Sequence, residues 1–498
     1  MLFDFDVIVV GGGAGGATFA YACARAGKSV LVLERGDRQT AGDPSFDEKA
    51  VLIDKGPYDD RVIKLNGRPK RLYMGGSLGG GTSVYGGALI RPSEQDFQPG
   101  RYYGKRIPRA IWDWPISYGD MEPYYTEAER LYGVTGCGED DFGPLRKPAR
   151  GFVGEPLPLH SLNQRLIATS RQHGLHPFRL PMAIDSSKCL RCALCAGFVC
   201  PTGARGSAAQ LLDSAQDQGL ALEVQTRVEV ERLARERGTG ATMITVLDRT
   251  TGQRRQYRAR RYALAAGAFG SPLLLLRSGM THPLIGRNYM LHLCAIVAGV
   301  YPRATSGDLS FIKQVGFSDY YFGTKEYPHK MGLIQSLAVP GPLMVARASP
   351  FLPAAVRLFV RQRMLPLAGI IEDLPNPANC VTLGPDGSGK ITHRYGRYDL
   401  ARRKRMTRYI ARILRKSGAV YCIAPRYSSH EHVAHQCGTL RFGTDPTHAV
   451  LDPDCRMFAN PDIFAVDGSF LPTSLGVGPG LTIMANALRV ASKVVTEL

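Results

Sequence analysis

The two ends of this 498-residue chain carry matching parts of one nucleotide-binding design. It opens DFDVIVVGGGAGGATFAYACARAGKSVLVLERG and closes IFAVDGSFLPTSLGVGPGLTIMANALRVASKV. In the opening segment an apolar run from Asp6 to Val10 ends at Gly11, and Ala17 to Ala26 has helix-forming composition. Gly11, Gly13 and Gly16 therefore fall on a strand-to-helix turn, the setting a G-x-G-x-x-G pattern needs. Gly11 permits the tight turn, Gly13 lets the backbone approach a pyrophosphate, and Gly16 lets helix and strand pack closely, with the helix N-terminus facing the phosphates. Val30 to Leu33 reads as the second strand, and Glu34 at its end is placed for a ribose 2'-hydroxyl, which favours FAD or NAD over NADP. Parts standing at both termini imply one module running through almost the whole sequence, and two interleaved domains fit better than two in tandem.

A hydrophobic content of 44% suits a globular chain with a large core. No apolar run reaches the roughly 18 residues of a membrane span. The start MLFDFDVIVV carries two acids and flows into the glycine motif, so it reads as a buried strand and not a signal peptide; cytoplasmic residence is the expectation. A net charge of +19 suggests anionic partners, but no aromatic-interleaved basic stripe accompanies it, so nucleic acid is not expected. The run RYDLARRKRMTRYIARILRK reads as the solvated face of a helix.

Arg261 to Ala266 forms a strand running into Gly267, Ala268, Phe269, Gly270 and Ser271, then a helix. That pattern resembles the second dinucleotide turn of two-domain flavoproteins, and with Asp467 in IFAVDGSFLP it selects FAD. The remaining motifs resemble the glucose-methanol-choline (GMC) oxidoreductases over most of the chain. They are GGSLGGGTSVYGGALIRPSEQDF, WDWPISYGDMEPYYTEAERLYGV, SGMTHPLIGRNYMLHL, EDLPNPANCVTLGPDGSGKI, HQCGTLRFGTDP and the C-terminal segment. The resemblance implies an α/β fold: a Rossmann-like FAD-binding domain (1–292 and 434–498) with an inserted α+β substrate domain (293–433) whose sheet roofs the flavin. Around Lys313 to Tyr321 and Met331 to Val339 the chain alternates like strands, while LFVRQRMLP reads as helix. Cofactor contacts are implied at Gly11, Gly13, Gly16, Glu34, Arg35, Gly79, Gly80, Ser83, Val228, Ala268, Asp467 and Pro479. FAD is expected to be noncovalent, and Asp467 to bond its ribityl or pyrophosphate region.

GMC enzymes oxidise an alcohol by taking the hydroxyl proton with a histidine while hydride passes to flavin N5. His435, in HQCGT, matches that base, and an imidazole titrating near neutrality suits the task. A second polar residue, asparagine or histidine, usually flanks it, yet the matching stretch Val477 to Thr482 places Gly478 there. The second hydrogen bond must then come from elsewhere, with Asn486, Thr439, water or the substrate as candidates, or catalysis is weakened. Glycine also widens the space for a bulkier substrate.

Eleven cysteines do not make a disulfide scaffold, but Cys189, Cys192, Cys195 and Cys200 cluster within residues 185–210, in SKCLRCALCAGFVCPTGARGSA. The run resembles the ferredoxin pattern with one extra residue before the fourth cysteine, so an iron-sulfur cluster stands beside structural thiols or a disulfide as alternatives; zinc fits less well. A cluster implies a dehydrogenase serving a redox protein, and its absence implies oxygen or a soluble acceptor. The H-Q-x-G-T motif resembles a bacterial branch that includes aminoglycoside 6'-dehydrogenases, implying a sugar or aminocyclitol hydroxyl of a secondary metabolite as the small-molecule alcohol. One alternative is a hydrophobic alcohol or sterol oxidase with FLPAAVRLFVRQRMLPL as a basic amphipathic lid, although membrane contact is not the expectation. The other is a flavoprotein that has lost alcohol oxidation through Gly478 and transfers electrons.

Overall fold

The computed structural model describes residues 3–40, 47–236, 240, 242–424 and 435–498. The first strand, Phe5–Val10, buries Val7, Ile8 and Val9 completely, because it lies inside a sheet covered on both faces. Its neighbours are Arg254–Leu264 on one side and Val30–Leu33 on the other, both parallel, with Val7 opposite Arg261 and Val30. Asn460–Ala465 extends the sheet beyond Arg254–Leu264, and Leu222–Gln225 extends it beyond Val30–Leu33, again in parallel. The strand from the far end of the chain thus lies two places from the first strand.

That convergence requires bare backbone. The first helix, Ala14–Arg25, meets the segment after Asn460–Ala465 so closely that a Cβ on Gly15 would fall 1.8 Å from the Val466 carbonyl oxygen. The last helix, Gly480–Glu497, packs beside it and buries Leu481, Met484, Ala485, Leu488 and Val490.

Over this layer stands a second, antiparallel sheet in the order Tyr421–Ile423, Leu293–Val300, Met364–Ile371, Ile334–Ser336, Val315–Phe317, Pro177–Arg179. The helix Arg397–Lys416 covers it with Met406, Ile410, Ile413 and Leu414, while Lys404, Arg408, Arg412, Arg415 and Lys416 face solvent. The solvated reading of that basic run holds, with one exception: Arg402 is fully buried and bonds Asp399 and the Glu372 carbonyl.

The domain bounds differ from the sequence reading in two places. Pro177–Arg179 edges the roofing sheet, and Leu162, Leu166 and Ile167 of the helix Ser161–Gln172 share its core, although both precede residue 293. Conversely, Cys380–Leu383 and Gly389–Thr392 pair with the hairpin of Val62–Leu65 and Arg68–Arg71 and pack on Phe269 and Leu273 of the nucleotide-binding layer. The boundary at 433/434 lies outside the described residues.

The helix read in LFVRQRMLP ends at Arg361, and Met364–Ile371 is a strand with every residue buried. An all-apolar run covered on both faces shows no alternation, which is why it looked helical. The strands around Lys313 and Met331 exist but are only three residues each, Val315–Phe317 and Ile334–Ser336.

Candidate active site

Between the two layers lies a cavity of about 2160 Å³. Its nucleotide end is lined by Gly11, Gly13, Glu34, Arg35, Gly80, Val228, Ala268 and Asp467, and its other end by His435, Gly478 and Pro479 beneath Ile296, Ala298, Met364 and Pro366 of the roofing sheet. Gly11 turns at φ +105°, and a Cβ there would meet the Ala265 carbonyl oxygen at 2.5 Å. A Cβ on Gly80 would fall 3.0 Å from Gly13 Cα, so two glycine loops face each other with nothing but backbone between them and the helix start. Such a cradle, open to free amide N–H groups, fits the pyrophosphate of FAD.

Several predicted contacts have a different first duty. Gly16 does not line the cavity; a Cβ there would strike the Gly11 carbonyl oxygen at 2.0 Å, so it serves close packing. Gly79 and Ser83 are also outside the lining. The Ser83 hydroxyl donates to the Leu78 carbonyl at 2.7 Å, and Gly79 donates its N–H to Gly12, tying the second loop to the first. Glu34 accepts the amides of Gly12 and Gly36, each at 2.8 Å, which uses two of a carboxylate's roughly four acceptor sites and leaves the rest for a ribose. Burial, the largest influence, pushes its carboxyl up in spite of these bonds. Arg35 is clamped by Asp60 at 2.6 Å and Glu229 at 3.0 Å, and the Val228 amide bonds the Glu34 carbonyl at 2.9 Å. Asp467 accepts from Gly267 N–H and Ser469 N–H, both at 2.8 Å, and from the Ser271 hydroxyl, so it first fixes the second turn.

His435 is held by His292, a residue that no local motif marks. His435 Nδ1 and His292 Nδ1 lie 2.7 Å apart, and His292 Nε2 is 2.8 Å from the Leu475 carbonyl oxygen. A carbonyl only accepts, so His292 carries its proton on Nε2, and its bare Nδ1 must accept from His435 Nδ1–H. His435 Nε2 is left with a free lone pair. That atom is 3.5 Å from where a Gly478 Cβ would stand, in the wall of the cavity. Burial first, then His292 and Lys313, holds the His435 imidazole well below the usual histidine range, and burial lowers His292 as well. Both rings are therefore neutral, the state this bonding pattern requires.

The arrangement is braced. Met290 and Cys437 exchange backbone hydrogen bonds at 3.0 and 3.1 Å, drawing the two histidine-bearing segments together. His435 and Leu475 sit at φ +63° and +65°, a strained region for side chains other than glycine. Leu475 N–H is anchored on Glu372 at 3.0 Å, and Glu372 in turn on the buried Lys330 at 2.6 Å. The two side chains weighed as substitutes for the missing partner are occupied: Asn486 bonds Cys455 and Arg489, and the Thr439 hydroxyl donates to the Ala268 carbonyl.

The four clustered cysteines do not assemble a metal site. Among the described residues no group of three or more histidine, cysteine or acidic side chains is arranged to hold an ion, and all four thiols are free. Cys195 is buried and its thiol is pushed up to about 12, whereas neighbouring amides and the Thr202 hydroxyl pull Cys200 down against burial. The donor set does not fit the iron-sulfur expectation. What reaches the cavity from this loop is Ala193, Leu194, Ala196, Gly197 and Phe198.

Two family models described as GMC oxidoreductase match residues 5–294 and 375–487. The chain belongs to the GMC oxidoreductases. Among its relatives in this family, paromamine 6'-oxidase of Streptomyces fradiae is 31% identical, with 99% of this chain and 92% of that protein covered. The 6'''-hydroxyparomomycin C oxidase of Streptomyces lividus matches equally, at 31% over 99% and 92%. The crystal structure of pyridoxine 4-oxidase from "Mesorbium loti" has the same fold, with a TM-score of 0.68 and 98% of each chain covered at 20% identity. As a GMC oxidoreductase the chain is an FAD-dependent enzyme acting on alcohols. No described helix is long and apolar enough to cross a membrane.

Proposed function

We propose that this GMC oxidoreductase oxidises a hydroxyl of a sugar or aminocyclitol-type small molecule to the carbonyl, in the cytoplasm, with oxygen as electron acceptor. The observation that carries the reading is the free lone pair of His435 Nε2, facing the cavity beside the bare Gly478. An alcohol seated there gives its hydroxyl proton to Nε2, and the bond from His435 Nδ1–H to the bare His292 Nδ1 steadies the imidazolium that results. Bound FAD would supply the hydride acceptor. The glycine cradle and helix start would hold its pyrophosphate, Glu34 its ribose, and the residues 79–87 its ring.

Two relatives act on paromamine and 6'''-hydroxyparomomycin C, and Gly478 leaves room for a substrate of that bulk. Charge narrows the choice. Arg347, Arg357, Arg361 and Arg394 line the cavity, and the acids near them are engaged: Asp308 pairs with Arg361, and Glu48 caps the helix starting at Pro342. A substrate whose oxidised end is a neutral sugar hydroxyl suits this wall better than a polyamine. Anaerobic mixing of the holoenzyme with neutral pseudosaccharides, aminoglycosides and long-chain alcohols tests the reading. Bleaching of the flavin near 450 nm by a sugar-type alcohol supports it; bleaching by none of them overturns it.

A second reading has its own observation. The helices Pro342–Ala348 and Ala354–Arg361, at the cavity rim, bury no residue, and Phe351 between them is 97% exposed. Reduction by a long-chain alcohol alone, with binding to liposomes, would favour an apolar substrate.

A further inference from the structure

Lys313 precedes the strand Val315–Phe317 and is 8% exposed, yet no hydrogen bond or ion pair reaches its Nζ among the described residues. Lysines are almost never buried without a partner. The position is not accidental, because its segment is pinned on both sides. Phe311 N–H bonds the Arg191 carbonyl at 2.9 Å, Gln314 N–H bonds the Ser336 hydroxyl at 2.9 Å, and the Gln314 side chain joins His160, Asn163 and Pro158. The side chain runs across the back of Gly86, whose backbone lines the cavity. A Cβ on Gly86 would fall 2.4 Å from Nζ, 3.0 Å from Cδ and 3.2 Å from Cε, so the lysine lies directly against this glycine and a larger residue there would have to push it aside.

The other groups that face Lys313 supply no counter-charge. They are the Cys195 thiol, the Arg205 guanidinium and the His435 imidazole. Arg205 donates only to carbonyl oxygens, those of Ser83, Cys195 and Phe198. Among the described residues two cations thus stand beside the loop of residues 79–87 with no carboxylate bonded to either, and Gly80, Gly81, Thr82, Val84, Tyr85 and Gly86 of that loop line the cavity.

We propose that Lys313 is an electrostatic positioning residue whose charge, delivered through the bare backbone of Gly86, holds the negative charge that the bound cofactor gains when it accepts hydride. The proposal rests on the reading that the cavity binds FAD for alcohol oxidation. In the reaction the alcohol's proton goes to His435 and its hydride to the cofactor, so one unit of negative charge appears where none was before. A fixed cation is worth most in such a dry site. Burial brings the lysine's own pKa down to about 8, so the charge is present at neutral pH and fades above it.

The test is sulfite, which binds oxidised flavin as an anion and needs no alcohol. Holoenzyme, Lys313→Met and Lys313→Arg are titrated with sulfite by flavin absorbance, and their midpoint potentials are measured by dye equilibration. Lys313→Met is expected to weaken sulfite by about tenfold or more and to lower the potential, while Lys313→Arg keeps both near the native values. In the native protein, sulfite affinity corrected for sulfite's own ionisation should fall as pH rises past the lysine's titration. That experiment still decides the matter where a variant does not fold. A Lys313→Met holoenzyme with native sulfite affinity and potential, or a native affinity flat with pH, overturns the proposal. A native protein that takes sulfite but is reduced by no alcohol overturns the proposed function instead.

Discussion

Whether His435 works as a base depends on which of its nitrogens carries the proton, and that is decided one residue away. With His292 locked by Leu475, the Nε2 lone pair points at the cavity. Replacing His292 by alanine frees the ring to rotate and tautomerise; kcat/KM is expected to fall by about 10- to 100-fold with the flavin spectrum unchanged. The pH profile gives a separate check. Protonation removes the base, and burial, His292 and Lys313 all oppose protonation, so the acid limb of kcat/KM should lie well below the ordinary histidine range near pH ~6.5. In Lys313→Met, which removes the cation among these causes, that limb should move back toward neutrality. At Gly478 an added Cβ would make ordinary contact with His435 at 3.5 Å, and its backbone is not left-handed. Gly478→Asn should therefore fold, quicken turnover of a small alcohol and slow a bulky one, measured as the ratio of their kcat/KM values. That His435 and Gly478 share the cavity wall could be anticipated because each sits in a contiguous motif. His292 could not, because its role arises from pairing Met290 with Cys437, segments nearly 150 residues apart whose contact no local pattern encodes.

The elements that could be read from the sequence were those whose geometry is set locally. The glycine turn, its strand and its helix follow from spacing alone, whereas the roofing sheet is made of short strands and one fully buried strand without alternation. The same contrast explains the domain bounds: the sequence places Pro177–Arg179 beside the nucleotide-binding segments, but its edge hydrogen bonds go to Val315–Phe317. Within the first helix the tightest constraint is Gly15, whose missing Cβ accommodates the Val466 carbonyl. Gly15→Ala must push the helix from the C-terminal segment. It is expected to cost about 1–3 kcal/mol by overpacking and to lower FAD retention during gel filtration. Gly138→Ala, where no atom lies within 4 Å, is the control and should leave both unchanged. Equal behaviour of the two variants would mean that the chain ends do not meet as described.

Across the whole molecule the nucleotide-binding layer and the roofing layer are joined by a buried charge cluster that also reaches the active site. Lys330, fully buried, lies 2.6 Å from both Asp96 and Glu372, with Tyr321 donating to Asp96 and Tyr103 to Glu372. One lysine cannot balance two ionised carboxylates. Burial opposes ionisation of both acids, but Lys330 and the hydroxyl of Tyr103 bring Glu372 below its ordinary value, whereas Asp96 is pushed up by burial and by the charge on Glu372. Of the two acids, Glu372 is the one whose charge the cluster favours more. Its contribution to stability is complete above the ordinary glutamate range and is lost as pH falls through its lowered value. Lys330→Met leaves that charge buried and unpaired, which should cost about 3–5 kcal/mol in denaturant unfolding. Adding Glu372→Gln removes the orphaned charge while keeping a side-chain oxygen for Leu475 N–H, so the double variant should recover much of the loss. Because Leu475 orients His292, activity should recover with it. If Lys330→Met unfolds no more easily than the native chain, the cluster does not join the layers. If the double variant regains stability but not turnover, Glu372 must act on His435 by some route other than Leu475.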